Sequence, residues 1–64
     1  MKRHMNAIEN DKIFPQWNKD LRSVDMSVYS VNNGKLHRIT TTRMYNPSGT
    51  TQDYERTEVI CNAT

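Results

Sequence analysis

The sequence VDMSVYSVNNGKLHRITTTRMY, which spans residues 24–45, decides the fold that we predict for this chain. In its first part Val24, Met26 and Val28 alternate with polar residues, and this two-residue period is typical of a strand that buries one face. Asn33-Gly34 then indicates a tight hairpin, because a type I′ turn needs positive φ at both central residues. The predicted register, which fixes the side chains that share a face, pairs Val31 with Leu36, Tyr29 with Arg38 and Val28 with Ile39.

A third strand is predicted from Tyr54 to Cys61, after a turn at residues 46–49 with the sequence Asn-Pro-Ser-Gly. Proline fixes φ and glycine relaxes it, and we expect the loop to extend through residues 50–52. Alternation places Cys61 on the face opposite Tyr54. Both faces of this strand carry charge, which suits the edge of a sheet because charge discourages further strand pairing. Residues 25–64 are therefore predicted to form a three-stranded antiparallel meander.

A short helix is predicted over residues 1–10, where Met1, Met5 and Ile8 recur at helical spacing. An isolated helix of this length is marginal in water, so it must dock on a surface or fray. We interpret it as a loosely attached arm. The alternative is an amphipathic helix that binds a partner.

A second short helix is predicted to begin at Pro15, because a proline at the first helical position loses no hydrogen bond. Trp17 and Leu21 then share one face, and with Phe14 they are expected to pack on the sheet. The alternative is that this apolar group inserts into another protein, since Trp is a common interface anchor. Residues 1–24 are thus a predicted helical arm. The predicted fold class is α+β, one small domain with short N-terminal helices packed on a three-stranded antiparallel β-meander.

The composition sets limits on stability and location. The chain has 64 residues, of which 34% are hydrophobic, so its core is thin and it needs a partner or further protein to be stable. The single cysteine cannot form an intramolecular disulfide, and no secretory signal is present, so we expect an intracellular protein, cytoplasmic or nuclear. No apolar run approaches the ~20 residues of a membrane span, and no membrane partner is predicted.

The sequence predicts no enzyme, no metal site and no cofactor. His4, His37 and Cys61 are the soft metal ligands, and their spacing matches no zinc pattern. Cys61 with His37 is a formal nucleophile and base pair, but neither residue has a supporting neighbour in the sequence. Both glycines fall in turns, so there is no glycine-rich phosphate loop.

Basic residues are interleaved with tyrosines along the predicted sheet. Such a surface can bind single-stranded nucleic acid by stacking and phosphate contacts. Acidic neighbours compete for the arginines, however, and alternation divides the tyrosines between the two faces, so nucleic acid is the weaker partner hypothesis. The residues concerned are Lys35, His37, Arg38, Arg43, Arg56, Tyr29, Tyr45 and Tyr54.

The last two predicted strands carry a family resemblance. They follow the form Arg-x-aromatic, a turn with Gly, then acidic-Tyr-x-Arg-x-Glu-x-aliphatic, and in this residues 36–64 resemble a short segment of the largest subunit of the general transcription factor TFIID. The turn is longer here, and Thr41 or Thr42 stands where an apolar residue is expected. The resemblance implies scaffolding and partner contact in a transcription pre-initiation assembly, without acetyltransferase or bromodomain chemistry. The matching positions are Arg43, Tyr45, Gly49, Tyr54, Arg56, Glu58 and Ile60.

We therefore predict a non-enzymatic protein–protein interaction module, with a transcription-machinery scaffold segment as its setting. Partners are other proteins or a second copy in a homo-oligomer, and the edges at 25–31 and 54–61 can accept a partner strand. The alternative is a stand-alone small regulator, such as a phage-encoded inhibitor, that binds an enzyme or nucleic acid. The predicted contact residues are Trp17, Tyr29, Arg38, Arg43, Tyr45, Tyr54 and Arg56.

Overall fold

The computed structural model describes residues 2–62, with side chains from Met5 onward, and it contains one helix and one antiparallel sheet. The strands pair in the order β1-β2-β3-β4, so each strand lies beside its neighbour in the sequence. Met1, whose spacing contributed to the predicted first helix, lies outside the described residues. The elements are α1 (Lys2–Glu9), β1 (Gln16–Asn18), β2 (Ser23–Asn32), β3 (Lys35–Tyr45) and β4 (Thr51–Asn62).

The β2–β3 hairpin forms in the predicted register, with Val28 opposite Ile39 and Val31 opposite Leu36. Its turn has φ of 53° at Asn33 and 70° at Gly34, which are the two positive values that a type I′ turn requires. The local turn chemistry therefore fixed this part of the fold, and the prediction is confirmed.

The predicted fold class is wrong in its strand and helix count, since four strands and one helix are present instead of three strands and several helices. Residues 16–18 form β1, not a second helix, and Gln16 pairs with Asp25 while Trp17 pairs with Val24. Asn18 Nδ2 also donates to Ser23 Oγ at 3.2 Å. A helix of one or two turns is marginal in water, so ladder pairing and this hydrogen bond outweigh the helical spacing.

The β3–β4 connection is tighter than predicted. The Gly49 amide donates to the Asn46 carbonyl at 3.0 Å, and the Asn46 amide donates to the Thr50 carbonyl at 2.9 Å. Thr51 then pairs with Tyr45, so the strand begins at residue 51 and not at Tyr54. Residues 51 and 52 belong to the ladder because the four-residue turn already reverses the chain.

A β-bulge changes the end of β4. His37 pairs with Val59, whereas its neighbour Leu36 pairs with Cys61, which leaves Ile60 as the extra residue. The register shift moves Cys61 to the same face as Leu36, opposite to the face that simple alternation predicted. Bulges of this kind are not visible in a period-two pattern.

The N-terminal segment crosses one face of the sheet, which we call the covered face. After α1, which contacts β4, residues 10–15 form a strap whose Asp11 bonds to Tyr29 and Arg38. We call the other side the open face. Among the described side chains, Leu36 is the one buried hydrophobic residue, and the remaining buried residues of the covered face are polar or charged: Ser23, Asp25, Arg38 and Thr40.

The expected packing of Phe14, Trp17 and Leu21 on the sheet is largely wrong. Phe14 is half-buried, and the centroid of its ring lies 5.9 Å from Arg38 Cζ. Trp17 and Leu21, in contrast, are 56% and 63% exposed. Trp17 belongs to β1 and not to a helix, so the ladder directs it to the open face, away from the strap. The molecule is a thin slab, with extents of 46 × 20 × 12 Å.

Candidate functional site

A charged network on the covered face holds the strap in place. Arg38 Nη1 donates to Asp11, and Arg38 Nη2 lies 3.0 Å from Glu58 Oε2, so the guanidinium bridges the strap and β4. Tyr29 donates its hydroxyl to the other Asp11 oxygen. Because Arg38 is only 4% exposed, its charge needs both carboxylates, and the cluster is structural in character.

Asp11 is the most perturbed carboxylate of the described residues. Burial raises its pKa, but the hydrogen bonds from Tyr29 and Arg38 to the charged form outweigh burial and bring the pKa to about 2. Burial and the neighbouring Asp11 carboxylate raise the pKa of Tyr29. The hydrogen bond from Arg38 lowers the pKa of Glu58. All three groups are therefore held in one protonation state near neutral pH.

A second polar cluster joins β2, β3 and β4 on the same face. Thr42 Oγ1 donates to Asp25 Oδ1 at 2.6 Å, and Arg56 Nη1 donates to Thr42 Oγ1 at 3.0 Å. The hydrogen bond from Thr42 lowers the pKa of Asp25. These contacts tie adjacent strands together and leave Asp25 and Arg56 engaged with their own chain.

An exposed apolar stripe runs along part of the open face. Trp17 and Tyr45 form a tilted aromatic pair at one end, with ring centroids 6.1 Å apart and planes at 46°. The stripe continues along β2 through Val24, Met26 and Val28, of which Val28 is 62% exposed. Ile39 lies beside Val28 on β3, and Val59 lies on β4 with 55% of its surface exposed.

Charges on the open face are balanced. By register the face carries two basic residues, Lys35 and Arg43, and two acidic residues, Asp53 and Glu55. Arg43 Nε and Nη2 donate to the two Asp53 oxygens at 2.9 and 3.1 Å, which is a bidentate pair on the exposed surface. The open face therefore combines an apolar stripe with polar and charged side chains whose formal charges sum to zero.

The seven predicted contact residues do not form one surface. Trp17, Arg43 and Tyr45 lie on the open face, and Tyr54 is exposed on the covered-face side of β4. The other three are held by the polar clusters of the covered face: Tyr29, Arg38 and Arg56.

The predicted contact residues do not include Met26, Val28 or Val59. The alternation of Met26 and Val28 on β2 predicts a buried face, whereas both of these side chains lie on the open face. The missing signal is the position of the strap, since alternation identifies an apolar face without identifying which face the rest of the chain covers.

The proposed strand edges change in part. β1 pairs with residues 23–25 of β2, so the edge predicted at 25–31 begins beyond Asp25. β4 is the opposite edge of the sheet and is exposed along most of its length. Its charged side chains protect it against unintended strand pairing.

The described side chains contain no candidate metal site. From Met5 to Asn62 there is no group of three or more His, Cys, Asp or Glu side chains that could hold a metal ion. A shallow cavity of about 220 Å³ is lined by Phe14, Pro15, Met26 and Ser27, none of which is a titratable group. In that same part of the chain, no helix is long and apolar enough to span a membrane.

No family model, curated protein or solved structure matches this chain. The resemblance of residues 36–64 to the largest TFIID subunit therefore stays a prediction.

Proposed function

We propose that this protein is a non-enzymatic protein–protein interaction module whose contact surface is the open face of the sheet. The observation that carries the proposal is the contiguous apolar stripe from the Trp17–Tyr45 pair to Val28, on a face that the strap does not cross. Single exposed apolar residues are ordinary, but a continuous apolar patch on a small protein is typical of an interaction site.

The aromatic pair supplies the anchor expected of a protein interface. Trp and Tyr are enriched among the residues that contribute most to binding, and they act best when neighbours exclude water around them. Val24 lies directly opposite Trp17 in the ladder, and Met26 follows on the same face. Methionine adapts its shape readily, so this end of the face suits a packed contact.

Nucleic acid is a weaker candidate on this geometry. Arg38, Arg43 and Arg56 each lie within 4 Å of a carboxylate of the chain, so their charges are largely compensated. Tyr29 and Tyr45 lie on opposite faces, and hence they do not form a stacking platform together. Binding to phosphates would have to break existing ion pairs.

Transcription-related scaffolding is the setting that we propose from the resemblance of residues 36–64 to TFIID. These residues include β3 and β4, which carry Tyr45, Ile39 and Val59 on the open face.

Two valine variants on β2 test the proposal. Val28 and Val31 are 62% and 52% exposed, they lie on opposite faces, and the change of either to lysine should leave the fold intact. Immobilised wild-type, Val28→Lys and Val31→Lys chains are incubated with extract of the source cells, and bound proteins are quantified by mass spectrometry. We expect specific capture that Val28→Lys abolishes and Val31→Lys retains. Capture that is absent, or equal for the wild type and Val28→Lys, would contradict the proposal.

A further inference from the structure

We infer that the open face binds the open face of a second copy of this chain, which gives a two-layered dimer. The inference rests on the proposed function and names the partner for the same surface. A contact of this kind has two-fold symmetry. Both copies use the same surface patch, and every contact between two residues occurs twice.

The shortage of a core within one copy supports this inference. Leu36 is the one buried hydrophobic residue among those described, while Met26, Val28 and Val59 are 39%, 62% and 55% exposed. A slab 12 Å thick holds a single sheet and strap. Sheets that pack face to face lie about 10 Å apart and bury the apolar side chains between them, so a second layer would supply the missing core.

The size of the slab is compatible with a stable dimer. Its longest extents are 46 and 20 Å, so its broad side projects over at most roughly 900 Å². Stable, specific interfaces bury about 800 Å² on each partner. An interface of that size would use most of the open face, including the polar residues around the apolar stripe.

The charge balance of the open face also favours a second copy of this chain over a strongly charged partner. Lys35 and Arg43 balance Asp53 and Glu55, and the bidentate Arg43–Asp53 pair is already satisfied within one copy. A two-fold contact between such faces brings no net charge into the interface. A nucleic acid or a highly acidic protein would instead meet a neutral surface that gives it no electrostatic gain.

Sedimentation equilibrium of the purified full chain tests the dimer, over protein concentrations between about 1 µM and about 1 mM. We expect a mass of about 15 kDa at the upper end, twice the 7.5 kDa of one chain. Val28→Lys should raise the dissociation constant at least roughly tenfold, because it places an unpaired charge in an apolar contact. Val31→Lys, on the covered face, should leave the constant unchanged within about twofold.

Circular dichroism keeps the test decisive if Val28→Lys fails to fold. In that case the thermal midpoint of the wild type is measured over the same concentrations, and a dimer predicts that it rises with concentration. A wild type that stays at 7.5 kDa, with a midpoint independent of concentration, would overturn the inference. If extract capture still depended on Val28, the proposed function would stand with a different partner. If capture were also unchanged by Val28→Lys, both the dimer and the proposed function would be contradicted.

Discussion

At the residue scale, Arg38 decides which face of the sheet is covered. Its guanidinium is buried, so the chain has to bring carboxylates to it, and Asp11 on the strap and Glu58 on β4 do so from two sides. A buried charge that loses a partner is costly to leave unpaired. This requirement draws the strap to the polar face and leaves the apolar face open.

The change Asp11→Asn should destabilise the protein by about 2 kcal/mol, because Arg38 then keeps only Glu58 as a charged partner. The free energy of unfolding is measured by urea titration at fixed protein concentration. The control is Asp53→Asn, which removes an exposed ion pair with Arg43 and should leave the free energy of unfolding nearly unchanged, because solvent screens such pairs. Equal losses for the two variants would contradict the structural role of Asp11.

Acid should weaken the contact between Asp11 and Arg38. The pKa of Asp11 is about 2 in the folded protein and 3.8 ordinarily, so the unfolded chain binds more protons between these values. The stabilisation, about 2 kcal/mol, is complete above about pH 5 and is lost as the pH falls toward 2. Urea midpoints from pH 6 to pH 2 measure this effect. Asp11→Asn should have a flatter pH dependence than the wild type, and an unchanged slope would refute the assignment.

At the element scale, the β2–β3 hairpin could be predicted from the sequence and β1 could not. The hairpin depends on Asn33-Gly34 and on local alternation, both of which are visible in the sequence. β1 has only three residues, and its return to β2 requires Arg22 to adopt φ of 48°, which its residue type does not indicate. The bulge at residue 60 could not be predicted either, since nothing in the alternation of the sequence indicates it.

Gly34 provides a direct test of the turn. The change Gly34→Ala should cost about 1 kcal/mol, because an L-residue resists the φ of 70° found there. The chain is short enough for chemical synthesis, and D-alanine at the same position, which favours positive φ, serves as the matched control. Urea unfolding should place D-alanine at or above the wild type. Equal loss for both forms would mean that the backbone conformation of the turn is not what limits stability.

At the scale of the whole molecule, the protein is a single-layered slab whose open face carries an exposed apolar stripe. Alternation in the sequence correctly identified an apolar face that includes Val24, Met26 and Val28. The sequence could not show that a polar cluster would attract the strap to the other side. The candidate site was therefore only partly predicted, through Trp17, Arg43 and Tyr45. Met26 and Val28 were missed because their alternation predicts a buried face, and Val59 because its strand carries charge on both faces.

The most direct measurement is acrylamide quenching of Trp17, the single tryptophan of the chain, as a function of protein concentration. Because Trp17 is 56% exposed in one copy, we predict strong quenching at low concentration and protection as the open face becomes occupied at high concentration. Val28→Lys should remain quenched throughout. A Trp17 that is protected from acrylamide in Val28→Lys would contradict the open face, and a wild-type Trp17 that is quenched as strongly as in Val28→Lys at every concentration would contradict its occupation by a second copy.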